Sequence, residues 1–302
     1  MTIRLRRSEL ATPASNPEMI RHAAESDADL VFLDLEDSVV PALKVEARER
    51  AAQALLELDW GRKTRAVRVN GASTEWAYED VISIVERAGD CLDVIIIPKV
   101  KAQRDVWFFD TLLGQLETKL GLQRCIALEA LIEETEALTC VEEIAGCSPR
   151  LEALILGVGD LAASQGVRIR RLLDPQDRYP GDLWHYARNR MVVAARAHGL
   201  DAIDGPYFNF ADRDGFHHEA SWSATLGCVG KWAIHPSQIE IANEVFAPTD
   251  EEIEFARQMC AAYESAARGG AGAAGARGIM VDAASMRIFN AVLERARLTR
   301  RA

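Results

Sequence analysis

The sequence lacks the marks of a disulfide framework, a zinc centre or a bilayer-spanning protein. It has no Cys-x-x-Cys pair. Its six cysteines, Cys91, Cys125, Cys140, Cys147, Cys228 and Cys260, fall in apolar or helical stretches, as reduced and mostly buried thiols do. No His-Glu-x-x-His spacing occurs, and the pair His217–His218 reads as ordinary surface or helix residues. No apolar run approaches the roughly 18 residues of a membrane span, and the opening MTIRLRRSEL carries basic residues but no apolar signal core. These absences lead to the expectation of a cytoplasmic protein with no membrane partner. Basic excess is also missing. Lys+Arg 35 against Asp+Glu 46 leaves a formal charge of −11, which repels a phosphate backbone and argues against nucleic acid as a partner. An anionic small ligand is not excluded, because a divalent cation and a few local Arg or Lys residues can dominate the field in one pocket.

What is present points to a single large fold. With 302 residues and 49% hydrophobic composition, the chain can bury the core of one α/β barrel or of two ordinary domains. Short β-rich runs alternate with charge-laced helical stretches, the pattern of βαβ units and a parallel sheet. Strands are predicted near Ser8–Ala11, Leu30–Leu35, Arg65–Val69, Val94–Pro98, Arg124–Ala130, Ala153–Leu156, Asp201–Ile203 and Gly230–Ile234. That count predicts a closed (β/α)8 TIM barrel.

Helices are clearest over Pro41–Leu58 and over Thr249–Ala267, where Thr249 precedes Asp250, Glu251 and Glu252 like a capped N-terminus. Gln165–Gly181, rich in Arg, Asp and Pro, reads as a long loop. The Gly/Ala run at 268–278 reads as a flexible hinge before a helical tail, Val281–Leu298. The predicted organisation is a catalytic barrel over 1–267 and a hinge with a C-terminal lid segment over 268–302.

In a barrel of this kind chemistry sits at the C-terminal ends of the strands. Those ends are polar here: Asp34, Glu36 and Asp37; Arg68 and Asn70; Lys99; Glu129 and Glu133; Asp160; Asp204; His235. Glu133 and Asp160 each follow an apolar strand, and two such carboxylates on neighbouring units call for a cation. An all-oxygen site with few carboxylates suits Mg2+. Glu133 reads equally as a solvated first-turn glutamate beside Glu134 and Glu136, and Asp160 would look similar as a helix N-cap. Gly157 and Gly159 allow backbone N–H groups to approach a ligand. Arg68 needs an anionic partner, either Glu36 or Asp37 on the adjacent strand or a substrate oxygen.

The segments LDLEDSVVPALK, VRVNG, IIIPKV, LIEE, GVGD, DGP and GKWAIHPSQIEIANEVF, in this order, resemble the citrate lyase beta-subunit-like (HpcH/HpaI aldolase) family. The resemblance is nearest to its L-malyl-CoA/β-methylmalyl-CoA lyases and covers nearly the whole chain. It implies a Mg2+-dependent acyl-CoA lyase, with Mn2+ as the alternative cation and a CoA thioester as substrate. Cleavage of malyl-CoA or β-methylmalyl-CoA would give acetyl-CoA or propionyl-CoA plus glyoxylate. Citramalyl-CoA or citryl-CoA cleavage, malyl-CoA hydrolysis and a silent CoA-binding subunit are the alternatives.

The resemblance also assigns residues. Glu133 and Asp160 would hold the metal. Arg68, Asp282, Glu36 and Asp37 would be catalytic, with Arg68, Gly157, Gly159, Asp160 and Pro206 against substrate. Arg7, Thr12, Ser15, Trp232, Ile234 and His235 would contact CoA. Thr12-Pro13-Ala14-Ser15 stands where relatives carry a Pro-Gly-Ser loop. Asp282 would reach a neighbouring subunit's site, which implies a homotrimer or homohexamer.

Overall fold

The aliphatic runs become the staves of a barrel. In the computed structural model, which describes residues 4–168 and 182–301, eight parallel strands close into a ring in sequence order. They are β1 Ser8–Pro13, β2 Leu30–Asp34, β3 Thr64–Arg68, β4 Val94–Ile97, β5 Ala127–Ile132, β6 Leu151–Leu156, β7 Asp201–Asp204 and β8 Gly230–Ala233. The helices between and after them are α1 Pro17–Glu25, α2 Lys44–Glu57, α3 Ala77–Ala88, α4 Gln103–Leu120, α5 Thr135–Thr139, α6 Val141–Ala145, α7 Val158–Gln165, α8 His185–Ala197, α9 Arg213–Leu226 and α10 Ile239–Val245. Strands buried on both faces need near-continuous apolar sequence, and VFL in β2 and VIII in β4 supply it.

Side chains on one face recur every second residue. Leu30 and Phe32 of β2 meet Ala66, Ile96, Leu131, Ile155 and Trp232 in one buried cluster. Two steps beyond Phe32 the same face reaches Asp34, beside Arg68 in the β2–β3 register. The apolar layer therefore ends in charge at the C-terminal rim.

The ring closes between β1 and β8, where Lys231 N donates to Arg7 O at 3.1 Å. A Cβ at Gly230 would lie 1.6 Å from Arg6 O, so this seam admits no side chain there. Towards the N-terminal end, buried Arg6 pairs with Glu129 and Glu152, and Trp232 Nε1 donates to Glu9 at 2.9 Å.

Two expected rim residues are thereby reassigned. Glu129 lies mid-strand in the Arg6 network. Asp204 is buried between Arg188 at 2.8 Å and Lys231 at 2.7 Å, its charges already matched. Strand β5 begins at Ala127, after Arg124, which pairs with Asp93 at 2.8 Å.

The chain forms two compact units, 1–243 and 244–302, so the helix that follows Thr249 belongs to the second unit and the division falls before 267. In that unit α11 Asp250–Arg268 carries a capping box: Glu252 N donates to Thr249 Oγ1 at 3.1 Å and Thr249 N to Glu252 Oε2 at 2.8 Å. The Gly/Ala run is not a slack hinge. It forms an antiparallel hairpin, β9 Ala273–Ala276 and β10 Ile279–Asp282, followed by α12 Ala283–Arg301. Arg277 and Gly278 at its tip have φ of 50° and 77°, the positive values that a two-residue type I′ turn requires.

No helix among the described residues is long and apolar enough to cross a membrane. All six cysteines are free, but only Cys228 and Cys260 are buried, and Cys125 is exposed. His217 and His218 lie on α9, with His218 tilted against Trp222 at 4.4 Å. Of the expected loop Gln165–Gly181, residues 169–181 lie outside the described residues.

Candidate active site

A pocket of about 460 Å³ is formed by strand ends and the segments that follow them. Ala11, Thr12 and Pro13 come from β1, Asp34, Asp37 and Ser38 from the end of β2, and Arg68 from β3. Leu131 and Glu133 follow from β5, Gly157, Gly159 and Asp160 from the β6–α7 turn, Pro206 and Phe208 from beyond β7, and Trp232 and Ile234 from β8.

Arg68 forms a two-pronged ion pair with Asp34, Nε to Oδ1 and Nη2 to Oδ2, both at 2.7 Å. A further contact joins Arg68 to Glu36 at 3.1 Å. The guanidinium lies over Trp232 and Phe32, 5.4 and 5.9 Å from the ring centroids. Its main partner is therefore Asp34, and Asp37 instead binds Lys99. Burial alone would raise the Asp34 carboxyl, but Arg68 outweighs it and holds the group below its ordinary range. Glu36 goes the other way: burial pushes it up despite Arg68 and Lys99.

Glu133 is not a solvated glutamate; it is 2% exposed. Its Oε1 accepts from Lys99 N at 2.6 Å. Burial, with the charge of Glu36 nearby, pushes the carboxyl up to about 8. A Cβ at Gly157 would stand 2.4 Å from Glu133 Cβ and 2.5 Å from Oε2, so the glutamate reaches the pocket through space that only glycine leaves.

Asp160 is not an N-cap. Gly157 holds that position, and Asp160 sits in the first turn of α7, where the helix dipole favours a negative charge. Its Oδ2 is 3.6 Å from Lys99 Nζ, which also binds Glu36 and lies 2.9 Å from Asp37.

The donor set fits a hard divalent cation. Carboxylates outnumber the cationic Arg68 and Lys99 in this region. Glu133 is a buried carboxyl, and Asp160 lines the same pocket. No group of three or more His, Cys, Asp or Glu side chains that could hold a metal occurs among the described residues. A two-carboxylate site leaves most of the shell to water and substrate, as Mg2+ prefers.

The residues proposed to contact CoA divide. Thr12, Trp232 and Ile234 line the pocket. Arg7 does not: it precedes β1 at the N-terminal end of the barrel, where Asp29 binds it at 2.7 Å. Ser15 offers its carbonyl to Arg50, and His235 stacks on Phe210 at 4.8 Å and caps a 3-10 turn through Ser237 N; neither lines the pocket. Asp282 belongs to the second unit. Its Oδ1 accepts from Ala284 N, Ser285 N and Ser285 Oγ at 3.1, 2.9 and 2.8 Å, which caps α12.

The reading from sequence missed Asp34 as the partner of Arg68, the double role of Lys99 and the wall residue Phe208. Period-two spacing from Phe32 was a signal for Asp34. The φ of 51° at Lys99 left no trace in the sequence.

The chain is similar to several known proteins. An L-malyl-CoA/beta-methylmalyl-CoA lyase of Cereibacter sphaeroides is 42% identical over 97% of this chain and 95% of its own length. A (3S)-malyl-CoA thioesterase of the same organism is 38% identical over 91% of this chain and 89% of its own. The crystal structure of protein CitE from Mycobacterium tuberculosis, in complex with magnesium, acetoacetate and coenzyme A, superposes with a TM-score of 0.75 at 29% identity, covering 96% of this chain and 97% of that one. Residues 7–236 match the family model described as HpcH/HpaI aldolase/citrate lyase, and the chain belongs to that family.

Proposed function

We propose that this protein is a Mg2+-dependent acyl-CoA lyase that reversibly cleaves a 3-hydroxyacyl-CoA, such as malyl-CoA or β-methylmalyl-CoA, to acetyl-CoA or propionyl-CoA and glyoxylate. The observation that carries this reading is one pocket lined by the hard carboxylates Glu133 and Asp160 and by the half-buried guanidinium of Arg68. The names of the relatives support the substrate class.

Glu133 and Asp160 would hold Mg2+ or Mn2+, which would supply Lewis-acid polarisation of a keto-acid carbonyl. In the cleavage direction the hydroxyl proton passes to a carboxylate base and the carbinol carbon becomes the glyoxylate carbonyl. The electron pair of the broken carbon–carbon bond becomes the thioester enolate, which takes up a proton to give acetyl-CoA. Arg68, fixed by Asp34 and held over Trp232, lines the pocket and would offset the charge that develops on the thioester oxygen. Glu36 and Asp37 set the field around Arg68 and Lys99, and Thr12, Trp232 and Ile234 border the acyl end. Pro206 and the backbone of Gly157 and Gly159 shape the keto-acid side. Asp282 serves as the base from a neighbouring subunit of a homotrimer or homohexamer, and residues 268–302 act as its lid.

The test is a screen of malyl-CoA, β-methylmalyl-CoA, citramalyl-CoA and citryl-CoA with Mg2+ or with EDTA, scoring keto-acid release. Mg2+-dependent glyoxylate is expected; absence of any keto acid from all four would overturn the proposal. Hydrolysis is the second reading, favoured by the similarity to the thioesterase. Free malate in place of glyoxylate would establish it.

A further inference from the structure

One residue touches both side chains assigned to the cation, and it does so from a costly backbone conformation. Lys99 follows β4 with φ of 51°, a left-handed geometry that L side chains rarely adopt. That geometry aims its N–H at Glu133 Oε1, 2.6 Å away. The same residue sends its ammonium to Glu36, to Asp37 at 2.9 Å and to within 3.6 Å of Asp160 Oδ2. Backbone strain of this kind persists where the surroundings hold it in place, and here those surroundings are the proposed ligand set.

The ammonium also reaches solvent. Its side chain is 32% exposed, and Asp37, which it binds, is 60% exposed. A four-carbon stem lets the charge pivot between acceptors without moving the backbone. Glu36 and Asp37 would keep it compensated if it left Asp160. A cation between Glu133 and Asp160 would repel a positive charge at its present distance from Asp160.

We propose that Lys99 is a tethered counter-ion that competes with the divalent cation for Asp160 and withdraws to Glu36 and Asp37 when the ion enters. The competition keeps the carboxylates assembled in the metal-free protein and keeps metal affinity low until a 2-oxo acid adds its own oxygen ligands. This inference rests on the metal reading above, and the experiment separates the two.

Mg2+ is titrated calorimetrically into metal-free wild type, Lys99→Met, Lys99→Gly and Lys99→Arg, with no thioester or keto acid present. Lys99→Gly suits the left-handed backbone and retains the N–H donor to Glu133, so it removes the ammonium with least risk to folding. Lys99→Met and Lys99→Gly are expected to bind Mg2+ about tenfold more tightly than wild type, because a like charge has gone, while Lys99→Arg stays near wild type. In EDTA the first two should melt at lower temperature than wild type, and Mg2+ should restore them. Equal or weaker binding by folded Lys99→Gly would overturn the role of Lys99 and leave the metal reading standing. Failure of all four proteins to bind Mg2+ would remove the metal reading itself.

Discussion

Glu133 and Gly157 are matched across neighbouring strands: the carboxylate reaches the pocket only because position 157 carries no side chain, whose first carbon would fall 2.5 Å from Oε2. Gly157→Ala should therefore displace Glu133. Overpacking of this kind costs about 1–3 kcal/mol, and Mg2+ affinity should fall by at least about tenfold. Denaturant unfolding and Mg2+ titration check the two effects; an alanine variant with wild-type affinity would refute the match.

Arg68 is joined by two hydrogen bonds to the buried carboxylate of Asp34. Removing one partner strands the other charge, so Asp34→Asn and Arg68→Met should each destabilise the fold by about 3–5 kcal/mol. Arg68→Lys keeps the charge but loses the fork. Its turnover should drop by about 10²–10³, with a much smaller loss of stability. Melting curves and kcat for the three variants make the comparison.

Asp160 is 40% exposed and contributes little packing, so Asp160→Asn should leave stability within about 0.5 kcal/mol of wild type. Mg2+-dependent turnover should vanish. Unchanged activity in this variant would remove Asp160 as a ligand.

Glu133 sets a pH dependence. Its carboxyl, ordinarily near 4.5, is pushed up to about 8 by burial in the metal-free fold. The native state thus keeps a proton that the unfolded chain has already released, so stability in EDTA should fall as pH rises from 4.5 to about 8. Excess Mg2+, which binds the ionised carboxylate, should flatten that decline. Melting temperatures across this window read it directly. An identical slope in Glu133→Gln would show that another group is responsible.

Asp282 caps α12, so alanine there would confuse loss of a cap with loss of a base. Serine retains capping ability. Asp282→Ser should keep the stability of the fold while lowering kcat by about 10²-fold or more, the scale of a lost general base. Full activity in the serine variant would leave Asp282 with the cap alone.

The barrel was legible because several strands carried aliphatic runs, such as VFL in β2 and VIII in β4, with charged residues at or soon after their ends. Glu133, Asp160 and Arg68 could be named from those endings. Arg7 was misplaced because it precedes β1: residues ahead of a strand lie at the opposite rim from those behind it, and Asp29 holds it there. Asp34 is distinguished from Glu36 and Asp37 by period-two spacing, which puts it on the inward face of Phe32, in register with Arg68. The Gly/Ala run misled through its composition. Its hairpin depends on two consecutive positive φ values at Arg277 and Gly278, and arginine does not advertise such a conformation.

The glycine seam between the first and last staves has a consequence for biosynthesis. Trp232, one of the rings beneath Arg68, arrives only with the strand that completes the circle. A nascent chain still short of residue 230 exposes β1 and β7 as unpaired edges and offers Arg68 half its aromatic seat. The catalytic pocket is thus among the last parts of the barrel to be completed.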